Sequence, residues 1–330
     1  MLAMHAPDGF LEAPVAIVCA VIAVAIIGYG LRMASSQLDD NRIPLAGITA
    51  AFIFAAQMFN FPVASGTTGH LLGGCLAAIL LGPWVGSIVV AVVVLVQALV
   101  FADGGLSALG YNVINMAIVP AFGGFALFLL FRKFFPRSAS GVIGATALAS
   151  ALSVVLAAAA FSLQWLFGAS APVPFDTVFG AMVGVHLLIG IGEGFISGLA
   201  VGAVLASRPD LVFGAADLDR KELADRTPVS ARTFVIGGAL TAVFFAVVVS
   251  QFAFDDPDGL ERVAEDQGFI DSARDHAFGS GVFADYATSG IGNETISLAV
   301  AGLTGVALCA LVGYGLFRGL REARSRTAQV

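Results

Sequence analysis

This 330-residue chain predicts an all-α, polytopic transmembrane helical bundle, a seven-span unit followed by a two-span unit. Three observations carry that expectation. Hydrophobic residues make up 58% and charged residues 12%, where a soluble domain has about 25% charged. The mean hydropathy is +0.93, and long stretches carry no charge at all. The basic residues cluster in alternate gaps between those stretches, as in a multi-pass protein of the cell membrane.

Nine apolar stretches approach the roughly 17–25 residues that a spanning helix needs. They run 13–33, 45–60, 70–83, 84–102, 110–131, 141–167, 178–206, 233–253 and 295–317. The third is short and glycine-rich, so it reads as a broken or re-entrant helix, tolerable only where protein surrounds it. With nine spans and the N-terminus outside, the inside loops hold Arg32, Arg42, Arg132, Lys133, Arg137, Arg208, Arg220, Lys221, Arg226, Arg232, Arg318, Arg321, Arg324 and Arg326. Only Arg262 and Arg274 fall outside, in the acidic segment 254–294. An odd span count therefore places the C-terminus in the cytoplasm.

The charged stretch 207–232 separates the two units, giving domains 1–215 and 216–330. Cys19, Cys75 and Cys309 form no CxxC pair and read as buried apolar thiols. A formal charge of -7 argues against nucleic acid as a partner. No Gly-Lys-Ser/Thr sequence is present, so the chain carries no P-loop for ATP. Gly190, Gly194 and Gly198 recur every four residues, a close-packing helix face rather than a nucleotide loop.

The candidate chemistry is histidine chemistry. His5, His70, His186 and His276 are the four, with no HExxH arrangement. His186 and Glu193 are seven residues apart and share a helix face, either as an internal polar pair or as groups that orient the ligands of a site from behind. His5 precedes a Pro-Asp-Gly turn. In a chain beginning at Met4, the terminal amine, the His5 amide and the His5 imidazole close two fused chelate rings, and His70 fills a fourth corner. Four nitrogens in a plane suit Ni(II), Cu(II) or low-spin Co(II). The sequence shows no thiolate or carboxylate beside these groups. His5 as a solvated residue near a loose chain end is the competing reading.

Three further stretches bear on the choice: "MHAPDGFL" (4–11), "ASGTTGHLLGGCLAAILLGPW" (64–84) and "VHLLIGIGEGFIS" (185–197). They resemble the CbiM/NikM family, the substrate-specific membrane components of energy-coupling-factor cobalt/nickel transporters. "DDPDGLERVAEDQGF" (255–269) resembles the PDGLE segment of the NikN-type partner that is often fused to them. The resemblance covers essentially the whole chain. It implies a non-enzymatic capture component for Co(II) or Ni(II) with no cofactor of its own. It also implies that the N-terminal segment folds into the bundle, and that the metal ligands are Met4 (amine), His5 (amide and imidazole) and His70. The partners it implies are a transmembrane coupling (T) protein and cytoplasmic ATPase subunits, in keeping with the missing P-loop. Met1-Leu2-Ala3 precede the methionine at which the family's chains begin, and a start at Met4 is the expectation here.

Nitrogen ligands must shed protons to bind, so capture is expected to weaken in acid. Two rivals remain. A secondary divalent-metal permease driven by an ion gradient would need coupling carboxylates in the membrane, and Glu193 is the only acidic residue well inside a predicted span. A membrane enzyme using His186 and Glu193 would lack any recognisable nucleophile.

Overall fold

The computed structural model describes residues 5–37, 42–64, 66–218 and 229–327. Among these, seven helices are long and apolar enough to cross a membrane: Ala13–Ser35, Pro83–Val100, Leu109–Phe131, Ala139–Gly168, Phe175–Ser207, Ala231–Phe252 and Glu294–Ser325. The protein is an all-helical, multi-pass membrane protein. Seven of the nine expected stretches correspond to these helices, and the other two take different forms.

The stretch 45–60 becomes the helix Arg42–Gln57, whose 16 residues rise about 24 Å, short of the roughly 30 Å hydrocarbon core. It is deeply buried instead, with the Glu294–Thr327 and Ala231–Val247 helices packed along it. The stretch 70–83 breaks, as its glycines suggested. Residues 70–73 form no helix, and Gly74–Leu81 makes only eight residues, every one buried. Gly82, at φ 89°, ends that helix, and Pro83 opens the next. Proline is suited to a first helical turn, where its missing N–H costs nothing.

One element departs from the all-α expectation. Phe61–Ala64 and Thr67–Gly69 pair antiparallel, with Phe61 opposite Gly69 and Pro62 opposite Thr68. The β-branched Val63, Thr67 and Thr68 favour extended backbone there. This hairpin delivers the chain to His70.

Elsewhere the packing follows the small residues. A Cβ at Gly190 or Gly194 would strike the carbonyl oxygens of Ala151 and Ala147 respectively, so the 175–207 helix lies close on the 139–168 helix at those points. The helix from Leu109 to Phe131 contains one wide turn, Val113–Ile118, with i→i+5 bonding just before Pro120. Proline supplies no N–H and crowds the carbonyl four residues back, and a π-turn relieves both. The turn places Asn115 and Met116 on the wall of an internal cavity. Cys19, Cys75 and Cys309 are buried free thiols, as expected.

Candidate metal-capture site

The first described residues do not trail away from the bundle. His5 is 3% exposed, and the backbone after it is bonded at nearly every step. The Ala6 carbonyl accepts from Gly105 N–H at 3.1 Å and from the Asn112 amide at 3.0 Å. The Pro7 carbonyl accepts from the Tyr111 hydroxyl at 3.0 Å. The Asp8 carboxylate accepts from the N–H groups of Leu106 and Ser107, at 3.2 and 2.6 Å. Phe10, 1% exposed, sits edge-on to Phe269 with ring centroids 5.2 Å apart. Gly104 is required beneath this strap: its φ is +83°, and a Cβ there would come within 2.7 Å of the His5 Cβ.

His70 approaches from the other side. The two imidazole rings meet at 71° with centroids 5.8 Å apart. Both line a cavity of about 80 Å³ together with His186, Asn112, Asn115 and Met182. The His70 Nδ1 lies 3.1 Å from the Leu71 carbonyl oxygen. A carbonyl can only accept, so Nδ1 bears a proton and donates. The same argument holds for His186, whose Nδ1 lies 2.7 Å from the Met182 carbonyl. His5 presents Nδ1 to Asp103, 3.4 Å from Oδ1, and its Nε2 is buried without a hydrogen-bond partner among the described residues. Burial lowers the His5 pKa, outweighing the nearby Asp103, and favours the neutral ring that a metal needs.

Glu193 bonds to backbone rather than to His186. It is fully buried, and its two carboxylate oxygens accept from the N–H groups of Leu72, at 2.6 Å, and Gly73, at 3.0 Å. Among the described residues no hydrogen bond joins it to His186, so the helix face they share does not make them a pair. Glu193 holds the non-helical loop that carries His70, and the Gln57 amide secures the same loop through the Leu72 carbonyl at 3.0 Å. His186 reaches the cavity wall itself. Met4 lies outside the described residues, and His276 is remote from the cavity, on the wall of an outer depression.

Two carboxylates that the sequence reading placed nowhere near these histidines stand beside them. Asp103 faces His5, and Asp258 Oδ2 lies 3.8 Å from His70 Nε2. Both are buried, at 3% and 6% exposure. Asp103 follows the 83–100 helix in a glycine turn, and only tertiary structure brings it to His5. Asp258 did leave a trace in the sequence: the tripeptide Pro-Asp-Gly occurs at 7–9 and again at 257–259, once on each side of the cavity. Burial pushes the Asp258 carboxyl up to about 6. Among the described residues, no three His, Cys, Asp or Glu side chains converge closely enough to hold a metal ion by themselves. Any ion between the two imidazoles therefore needs further donors from the backbone or the chain's beginning.

The profile of the cobalt uptake substrate-specific transmembrane region, CbiM, matches residues 5–211, well over half the chain. The chain belongs to the CbiM family. This CbiM protein is thus a substrate-specific membrane component of a cobalt/nickel uptake transporter of the energy-coupling-factor type, and not an enzyme. A PDGLE domain matches residues 232–322. The putative fused nickel transport protein NikMN of Archaeoglobus fulgidus is 33% identical over 97% of the CbiM chain and 100% of its own length. The fused nickel transport protein NikMN of Rhodobacter capsulatus is 30% identical over 98% and 99%. A crystal structure of a truncated transition metal transporter superposes with a TM-score of 0.53 at 30% identity, covering 61% of this chain and 98% of that one.

Proposed function

We propose that this CbiM protein captures Co(II) or Ni(II) on the outer face of the cell membrane, with Met4, His5 and His70 as the ligands. The observation that carries the reading is the buried His5–His70 pair, edge to face at 5.8 Å, on a small cavity closed by the N-terminal strap. The Met4 amine, the His5 amide nitrogen, the His5 imidazole and the His70 imidazole then make a planar set of four nitrogens, which both ions accept. Ring closure through the His5 amide uses Nδ1, so binding exchanges the Asp103 contact for the metal. His186 and Glu193 act behind the ligands, His186 on the cavity wall and Glu193 under the loop that carries His70.

The N-terminus lies outside and the C-terminus in the cytoplasm, in keeping with 14 of the 16 basic residues falling on one side. The chain divides near 215/216 into a metal-binding unit and a C-terminal unit. Energy comes from a transmembrane coupling protein and cytoplasmic ATPase subunits, because this sequence has no P-loop. The fused nickel transport proteins that match it end to end support the same assignment.

Two chains, one beginning at Met1 and one at Met4, test the ligand set. An amine gives up its proton far more readily than an amide, so the chain beginning at Met4 should bind Co(II) or Ni(II) more tightly in equilibrium dialysis. Equal affinities would remove the terminal amine from the set. Uptake that persists without ATPase subunits and follows an imposed proton gradient would favour the secondary-permease reading instead.

A further inference from the structure

The C-terminal unit touches both segments that carry the histidines. The Thr68 N–H donates to the Pro257 carbonyl at 2.9 Å, and the Thr68 hydroxyl donates to the Asp256 carbonyl at 2.8 Å. The Arg274 N–H donates to the Asp8 carbonyl at 2.8 Å. A further contact is made by a side chain. Tyr286, in the stretch that matches the PDGLE domain, donates its hydroxyl proton to Asp103 Oδ2 at 2.6 Å.

The backbone on both sides of that bond is strained. Ala102, Asp285 and Tyr286 have φ of 55°, 53° and 56°, and no other non-glycine residue among those described has a positive φ. Residues with a side chain rarely adopt such backbone, and it persists where the surroundings over-determine it. Here the Tyr286 ring stacks on Phe101 at 19° with centroids 5.0 Å apart, and the Asp285 N–H donates to the Phe101 carbonyl at 2.9 Å. Donors on the far side fix the direction of the hydroxyl. Gln97, fully buried, gives one amide N–H to the Tyr286 oxygen at 3.1 Å and one to Gln57 Oε1 at 2.9 Å. The Tyr286 oxygen accepts there, which leaves its own proton for Asp103. Gln57 in turn donates to the Leu72 carbonyl at 3.0 Å, so a single run of side chains joins the loop after His70 to the carboxylate beside His5.

Asp103 thus has one oxygen committed. Only Oδ1 faces His5 Nδ1, and at 3.4 Å it stands outside the usual N–H···O range of about 2.7–3.2 Å. The capture reading needs Nδ1 for the metal, so a carboxylate that closed fully on this nitrogen would compete with the ion. We propose that Tyr286 is a positioning residue for metal capture: its hydroxyl holds the Asp103 carboxylate back from the His5 ring, which stays oriented yet available to the ion. The proposal rests on the reading of His5 and His70 as ligands.

Tyr286→Phe removes the hydroxyl and keeps the ring on Phe101. The released carboxylate then turns onto His5 Nδ1. In purified full-length protein, Co(II) affinity by equilibrium dialysis should fall about tenfold, the low end of what outer partners of a ligand contribute. A merely structural tyrosine would lower affinity whatever stood at position 103, whereas in an Asp103→Ala background the same change should cost little more. Metal-free protein labelled with 15N at histidine gives a second readout that needs no change at 103. Tyr286→Phe should move one imidazole resonance, the one that His5→Ala removes. Unchanged Co(II) affinity, an equal loss with and without Asp103, or an unmoved His5 resonance each overturns the proposal. His5→Ala and His70→Ala separate the two readings. If those variants still bind Co(II) fully, the underlying ligand assignment fails; if they lose it while Tyr286→Phe is silent, only the positioning role does.

Discussion

His70→Ala abolishes metal capture and leaves the protein folded in the membrane. The ring contributes little to the fold: its Nδ1 satisfies the neighbouring Leu71 carbonyl, and its body borders a cavity. Removing it enlarges the cavity and costs a modest amount of stability. The chemical loss is much larger, because one of the few nitrogens facing the cavity disappears. Losing an outer partner of a ligand lowers metal affinity about 10–100-fold, and losing a ligand itself should exceed that range. Equilibrium dialysis of the purified variant should show a loss beyond about 100-fold, with helical circular dichroism and membrane fractionation unchanged. Full binding by His70→Ala would remove it from the ligand set.

Glu193→Ala should be the most damaging change away from the ligands. The variant strips two buried backbone N–H groups, those of Leu72 and Gly73, of their carboxylate acceptors. Each buried polar group left unpaired costs about 1–3 kcal/mol, so the loss of two is on the order of 2–6 kcal/mol. The loop concerned begins one residue after His70, and metal affinity should fall along with the melting temperature in detergent. Glu193→Gln keeps one acceptor and turns an N–H toward the other site, which predicts an intermediate loss. If Glu193 were instead the partner of His186, a double-mutant cycle with His186→Ala would show strong coupling. Their separate attachments predict near-additivity.

Much of the fold can be read from local sequence, because a spanning helix is a local object: about twenty apolar residues satisfy their own backbone in lipid. The exceptions are instructive. Residues 45–60 are as apolar as a span, yet Arg42–Gln57 is enclosed by neighbouring helices, and hydropathy does not distinguish lipid from protein as the surrounding medium. The hairpin before His70 escapes notice because four strand residues beside a glycine-rich stretch give almost no periodic signal.

The candidate site divides along the same line. His5 and His70 are rare titratable residues in unusual settings, and they stand out in sequence. Their carboxylate neighbours are set by contacts across 98 and 188 residues, which no spacing encodes. Glu193 was legible as a buried functional carboxylate but not as the anchor of the loop at 72–73. A helix face shows which residues travel together; it does not show what they will meet.

The hydrogen bonds at the mouth of the cavity carry one more implication. The strap at Asp8 is bonded to the N–H of Arg274, and the strand before His70 to residues 256 and 257. Were the two halves separate polypeptides, this junction would form only as far as their abundances allowed, and dilution would empty it. Joined in one chain, each half meets its counterpart at an effective concentration fixed by the connecting residues, in the millimolar range for short linkers. The mouth is then assembled at one-to-one stoichiometry in every molecule, however few copies the cell makes.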